Sequence, residues 1–229
     1  MSNYTGIANL EALEQATNYN RFLVGRICDA AGGAGACVDF GAGTGTLARG
    51  VAARGITVTC IEPDPTLRRR LAAAGLPVLA DAEELAPGST DYIYSVNVLE
   101  HIEGDAAVLG CLRSKLRRGG RLFVYVPAFQ RLWTNMDRRV GHVRRYEHAE
   151  LGRLLVDSGF AVERLRYADS LGFFATLLYR WVGSRDGNVS PRGVRLYDRV
   201  LFPASRLVDR LGFDRVLGKN LMALARRST

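Results

Sequence analysis

Between Val38 and Gly45 the chain reads VDFGAGTG, three glycines at alternate positions directly after a short apolar run. Gly41, Gly43 and Gly45 lack a Cβ, so the backbone can turn tightly there and approach a ligand, and a helix opening from Thr44 offers it free N–H groups. A dinucleotide fingerprint needs G-x-G-x-x-G, and the sixth position of GAGTGT is Thr46, the wrong spacing for a pyrophosphate. About 20 residues further on, Glu62 closes the β-branched run ITVTCIE, where a carboxylate can accept charge-assisted hydrogen bonds from two hydroxyls. Taken singly, Glu62 also reads as a surface acid, and Asp81 in LADAEEL as the N-cap of a short helix. Asn97, Glu100 and His101 follow a third apolar run, TDYIYSV. His101 is a candidate proton acceptor, although Glu100 and His101 also suit the start or cap of the next helix.

A second concentration of chemistry lies in LWTNMDRRVGHVRRY, which holds Trp133, Asp137, Arg138, Arg139, His142, Arg144, Arg145 and Tyr146. His142 suits substrate contact or proton acceptance, with Trp133 beside it. Arg144 and Tyr146 suit an anionic or carbonyl group held bidentately or by one hydrogen bond. The alternative is that His142 and Tyr146 pin a long loop to the body; loops of this length are mostly functional. Cys28, Cys37, Cys60 and Cys111 form no CxxC pair and have no metal-ligand spacing with the three histidines, so neither zinc nor a disulfide framework is expected.

The elements that must position these residues follow from hydrophobic period. Leu10, Leu13, Tyr19, Phe22, Val24 and Ile27 recur at helical spacing, predicting an N-terminal helix over 9–31 that stops at Gly32-Gly33. After it, ACVDF, ITVTCIE, PVLA, TDYIYSV and RLFVYVP read as strands, separated by the helical stretches GTLARGVAARG, DPTLRRRLAAAG and DAAVLGCLRSKLRRGG. Such alternation makes right-handed crossovers and a mostly parallel sheet covered on both faces. Beyond Pro127 come a loop over 127–147, a helix in EHAELGRLLVDSGF, a strand in AVERLRYADS, a helical segment over 171–218 and a last strand, NLMALARR. The length of 229 residues and 48% hydrophobic content suit a single domain over 1–229.

No apolar run approaches the roughly 18 to 20 residues that span a bilayer, since LGFFATLLY is stopped by Arg180. MSNYTGIANLEALEQ lacks the basic and apolar order of an export signal, so the cytoplasm is expected. The net charge of +8 is unevenly placed: −6 over residues 1–112 and +14 over 113–229. The basic half suits an anionic substrate or membrane surface, nucleic acid, or only solvated helix faces.

Taken together, these segments resemble the class I S-adenosylmethionine-dependent methyltransferases over roughly residues 10–170. VDFGAGTG is similar to that family's first motif, and DYIYSVNVLEHI followed by LRRGGRLFVYVP to its fourth-strand motif and LxPGG turn, with Arg118 where proline is usual. The resemblance implies an α/β Rossmann-like, seven-stranded, mostly parallel sheet of order 3-2-1-4-5-7-6, with helices on both faces and a helical lid insertion before the last strand. It implies S-adenosylmethionine as cofactor, S-adenosylhomocysteine as product, and a cofactor site of Tyr19, Asp39, Gly41, Ala42, Gly43, Gly45, Glu62, Pro63, Asp81, Ala82, Asn97 and Val98. Glu62 would take the ribose hydroxyls, Asp81 and Ala82 the adenine, and Asp39 the glycine loop or the methionine amine. His101 and His142 are the catalytic candidates, and Trp133, Arg144 and Tyr146 the substrate candidates. Ubiquinone-pathway relatives carry an acid where Asn97 stands, and some hold a divalent metal; with one hard ligand gone, no metal is expected.

The GHxRRY segment resembles that of small-molecule or lipid-type methyltransferases, so the expected partner is a small, rather apolar or lipid-like acceptor, with a peripheral membrane contact through 171–218 and a monomer or homodimer. Nucleic acid is not expected, because SVNVLE stands where base-methylating enzymes carry (D/N)PP(Y/F). A cofactor-binding protein without catalysis and a nicotinamide oxidoreductase are the readings from other classes.

Overall fold

The computed structural model describes residues 11, 14–182 and 191–228. Seven strands, β1 (Cys37–Phe40), β2 (Val58–Ile61), β3 (Val78–Leu79), β4 (Thr90–Val96), β5 (Leu116–Pro127), β6 (Phe160–Ala168) and β7 (Asn220–Arg227), form one sheet in the order β3-β2-β1-β4-β5-β7-β6. The first five pair in parallel and β7 is antiparallel to both neighbours, so the sheet has the order and the mostly parallel form that the family resemblance implied. Strand order reverses between β1 and β4, which opens a crevice at their carboxyl ends.

Strand period two builds a core on each face. Leu122, Val124 and Val126 of β5 pack with α4 (Asp105–Lys115) and α6 (His148–Asp157) through Leu109, Leu112, Leu151 and Leu155. Phe123 and Tyr125 face the other way, toward Leu23 and Ile27 of α1 (Thr17–Ala31) and Val51 of α2 (Thr46–Ala52). The remaining crossover, α3 (Pro65–Ala73), opens on Asp64, whose side chain accepts the N–H groups of Thr66 and Leu67.

Four expectations are corrected. The helix expected over 105–120 ends at Lys115, and Leu116–Gly120 already belong to β5 through a register shift against β4. A Cβ on Gly120 would stand 2.9 Å from the Arg117 carbonyl oxygen and 3.1 Å from that of Asp91, so RRGG is a bulge that needs glycine. The expected N-terminal helix is interrupted: Glu11 and Glu14 are helical, Ala16 leaves helical geometry (φ −81°, ψ 71°), and α1 opens at Thr17; positions 1–10 and 12–13 lie outside the described residues. The long loop contains a 3₁₀ turn (Gln130–Leu132) and α5 (Asn135–Val140). The helical insertion comprises α7 (Ser170–Val182), α8 (Pro191–Leu196), a π-helical turn (Tyr197–Leu201) and α9 (Phe202–Arg210), with 183–190 outside the described residues. Pro203 has no N–H to return to the previous turn and its ring crowds that turn, which accounts for the widened stretch before it.

The insertion is tied down by buried carboxylates. Ala16 has no side chain to cap α1, and Asp198 does so from 180 residues away, accepting the N–H groups of Asn18 (3.0 Å) and Tyr19 (2.8 Å). Asp209 likewise accepts the N–H groups of Asp169 (3.0 Å) and Ser170 (3.1 Å) at the start of α7. No helix among the described residues is long and apolar enough to cross a membrane. Replacing Asp198 by Ala leaves the first turn of α1 uncapped and is expected to cost about 1–2 kcal/mol in urea unfolding. The control Asp214→Ala, at a partly exposed site paired with Arg166 only at 3.7 Å, should change stability by less than about 0.5 kcal/mol.

Candidate functional site

The glycine turn follows β1 at the strand-order reversal, and its three glycines all adopt positive φ: +81° at Gly41, +55° at Gly43 and +78° at Gly45. A Cβ at Gly41 would lie 2.4 Å from the Val98 side chain, and one at Gly45 would lie 2.5 Å from that of Leu71. The turn is anchored to the next strand. Gly41 and Ala42 donate to the Ile61 carbonyl (2.9 and 3.1 Å), and the Gly43 N–H donates to Glu62 Oε2 at 2.8 Å. The other Glu62 oxygen accepts the Asp64 N–H at 2.9 Å, just beyond Pro63. Burial raises the Glu62 pKa and these two N–H groups oppose the rise. A carboxylate offers about four acceptor positions, so two remain after these bonds.

Asp39 sits behind the turn, 3% exposed. Burial lifts its pKa to about 7, with the neighbouring Glu62 charge adding to the rise. The Tyr94 hydroxyl lies beside it, outside hydrogen-bond geometry. Asp81 and Glu84 form a capping box around the turn Ala82–Glu84: Asp81 Oδ1 accepts the Glu83 N–H at 2.9 Å, and Glu84 accepts the Asp81 N–H at 3.0 Å. The capping reading of Asp81 is therefore realised. Asn97 has φ +54°, a left-handed conformation that Asn tolerates, which directs the chain back over the turn so that Val98 covers Gly41. Tyr19 of α1 comes down beside Asn97 and Tyr125, where burial raises its pKa to about 12. Its ring packs edge-on against Tyr125 (6.2 Å between centroids) and Phe202 (5.3 Å).

On the acceptor side, Glu100 and His101 form their own 3₁₀ turn with Leu99, and α4 opens later on Gly104, so neither residue caps it. Glu100 is fully buried and neither oxygen has a hydrogen-bond partner, and that burial lifts its pKa to about 8. The His142 ring lies between two acids: Nδ1 is 2.7 Å from Asp137 Oδ1, and Nε2 is 3.7 Å from Glu100 Oε1. With Nδ1 donating to Asp137, Nε2 presents a lone pair. His101 meets His142 edge-on at 4.7 Å; burial and the nearby His142 lower its pKa to about 4, which makes it a poor proton acceptor.

Asp137 is the hub of the loop. Its oxygens accept from Arg145 Nε (2.8 Å) and Nη2 (2.9 Å), from the Thr134 N–H (2.7 Å) and hydroxyl (2.9 Å), and from His142. Burial alone would raise its pKa, but the hydrogen bonds from His142 and Arg145 and the Arg145 charge hold it well below the usual carboxylate range. The capping pattern of TNMD, Thr134 with Asp137 three residues on, was a signal for this pair.

Two of the substrate candidates have partners within the protein. Arg144 donates to Asp105 Oδ2 (2.8 Å) and the Glu103 carbonyl (2.8 Å), and the fully buried Tyr146 bonds the same Asp105 oxygen at 2.8 Å. Both side chains fasten the loop to α4. Trp133 remains partly exposed at the start of the loop. The expectation that no metal binds rested on Asn97, whereas the fold supplies a third donor: Glu100, His101 and His142 place one ligand atom each within 4.8 Å of one another, a set able to hold a divalent ion. Sequence reading also passed over Lys219, just before β7. Burial lowers its pKa while Asp169 opposes the fall, and its Nζ lies 5.0 Å from the Tyr197 ring centre. A lone lysine ahead of a strand carries no signal of this.

Because the folded-state pKa of Glu100 is raised, folding takes up a proton there, and stability should fall as pH rises from about 4.3 toward 8. Melting temperatures between pH 5 and 8 should decline more steeply for the wild type than for Glu100→Gln; equal slopes would contradict the assignment.

With the geometry in place, comparison with known proteins locates the chain. Over 97 residues it is 35% identical to a ubiquinone biosynthesis O-methyltransferase of Xanthomonas euvesicatoria, a match spanning 38% of this chain and 41% of that protein. Among solved structures it superposes on an S-adenosylmethionine-dependent methyltransferase of Archaeoglobus fulgidus with TM-score 0.61, at 14% identity, covering 91% of this chain and 94% of that one. A phosphoethanolamine N-methyltransferase of Haemonchus contortus, solved with S-adenosyl-L-methionine, gives TM-score 0.54 at 17% identity, covering 84% and 48%. These structural likenesses concern the fold alone. Residues 13–165 match the methyltransferase domain family, and the chain belongs to it, among the class I S-adenosylmethionine-dependent methyltransferases.

Proposed function

We propose that this protein transfers a methyl group from S-adenosylmethionine to a small, apolar or lipid-like acceptor, releasing S-adenosylhomocysteine. The observation that carries the reading is the bond between Glu62 and Gly43. It joins a ribose-binding carboxylate and a Cβ-free turn in one unit, at the place where a nucleoside would lie. Bound there, the cofactor supplies an electrophilic methyl on a sulfonium. The residues present suit it: Glu62 has acceptor positions left for two hydroxyls, Asp81 and Ala82 would hold the base, and Asp39 and the glycine turn would hold the amino-acid end.

Methyl transfer is an in-line displacement, so the protein's work is alignment and the exclusion of water. Tyr19 stands beside Asn97 with its ring edge-on to Tyr125 and Phe202, and this aromatic surrounding supports an apolar acceptor. The curated relative's name, a ubiquinone-pathway O-methyltransferase, points the same way. Where the acceptor must lose a proton, His142 Nε2 takes it, with Asp137 holding the tautomer and stabilising the imidazolium that forms. Trp133 would meet the acceptor at the mouth of the loop.

Calorimetry with S-adenosylmethionine should give micromolar binding, and Glu62→Gln should weaken it about 10- to 100-fold by removing charge-assisted bonds to the ribose. Unchanged affinity would remove the ribose assignment. With radiolabelled S-adenosylmethionine and extracts of apolar metabolites, His142→Gln should lower turnover of the labelled product by about 100-fold or more while cofactor affinity stays within about threefold. Cofactor binding with no acceptor labelled would favour a binding protein without catalysis.

A further inference from the structure

The continuous helical stretch from Pro191 through the π-helical turn to Arg210 has one face turned into the protein, where Val194, Asp198, Phe202, Ser205 and Asp209 are buried. On an ordinary surface helix the opposite face is polar. Here it carries Leu196, Val200, Leu207 and Leu211, each 61–74% exposed. The buried positions recur at intervals of four, four, three and four residues and the exposed ones at four, seven and four, so each set keeps to one side. Nine of the eleven large apolar side chains exposed among the described residues fall between Phe174 and Val216, so the stripe belongs to a concentration and is not scatter.

Each residue of the stripe directly follows an arginine: Arg195, Arg199, Arg206 and Arg210. At about 100° per residue, the arginines form a second row along one flank of the first. Arg206 lies over the Phe22 ring (3.9 Å) and approaches Asp209, and Arg195 bonds Gln15, but Arg199 and Arg210 make no hydrogen bond or ion pair among the described residues. The acids that would balance them, Asp198 and Asp209, are buried and used as caps for α1 and α7. The outer face is thus apolar along its crest and cationic along its edge.

We propose that this face docks on an anionic lipid bilayer, with the leucine crest entering the headgroup boundary and the arginine row lying against phosphates. An interfacial surface satisfies both rows together, because long guanidinium side chains reach phosphate while apolar neighbours leave water. A symmetric pair of such faces would bring two arginine rows together with no free acid between them among the described residues, which argues against a second copy as the occupant.

The test is co-sedimentation of the full-length protein with vesicles of phosphatidylcholine alone and of phosphatidylcholine with about 30% phosphatidylglycerol. Binding to the anionic vesicles should be about tenfold tighter and should weaken in high salt. The pairs Leu207→Ser with Leu211→Ser, and Arg199→Ser with Arg210→Ser, should each lose about tenfold while the melting temperature holds. The proposal fails if the wild type does not bind, if it binds both vesicle types equally, or if the leucine pair binds like the wild type. It also fails if light scattering shows a dimer that Leu211→Asp splits, since the stripe would then be a subunit interface.

Discussion

The carboxylate of Glu62 accepting the Gly43 N–H is the contact on which the cofactor side of this protein depends. A turn of three glycines at positive φ has many other conformations open to it, and the entropy of fixing glycine is large. Two carbonyl bonds to Ile61 and the buried carboxylate hold it in one of them. Val98 occupies the space that a Cβ at Gly41 would need, so β1, β2 and β4 all contribute to the same few ångströms of backbone. The position of the Glu62 carboxylate and the geometry of the turn therefore cannot vary independently.

The acceptor side uses the same device differently. The loop after β5 and the helices before β7 are held by buried acids that accept backbone N–H groups and arginine: Asp137 in the loop, Asp198 against α1, Asp209 against α7, and Asp105 between Arg144 and Tyr146. Removing either member of such a pair leaves a charge or an N–H in a place without water, so each contact fixes position more than it adds stability. Glu100 is the exception, buried with no hydrogen-bond partner, and it faces His142. Polar groups left in that condition cluster where chemistry is done.

Much of this was legible beforehand. The strands and the glycine turn follow from alternation and spacing, because a strand buried on both faces and a turn without Cβ atoms leave local marks, whereas the strand order came from the family resemblance. Glu62 was legible for the same reason, its place at a strand end being set by the run before it. The loop was misread in part. Arg144 and Tyr146 have the residue types of a substrate site, yet their partner is Asp105, about forty residues earlier and on another helix. The break at Ala16 escaped notice because apolar period continues across it, and the cap that starts α1 belongs to Asp198 at the far end of the chain.

What the chain determined by itself is everything local: which stretches become strands, where the backbone must turn left-handed, and which helix carries leucines and arginines in adjacent rows. Tertiary structure alone decided the pairings. It set Glu100 and His101 against His142, hid Asp137 beneath Arg145, spent Arg144 on the scaffold, and brought Lys219 beside Tyr197. The reason is physical. Propensity and hydrophobic period act over a few residues, whereas burial changes the charge and partners of an ionisable group, and burial is known only once distant segments have met.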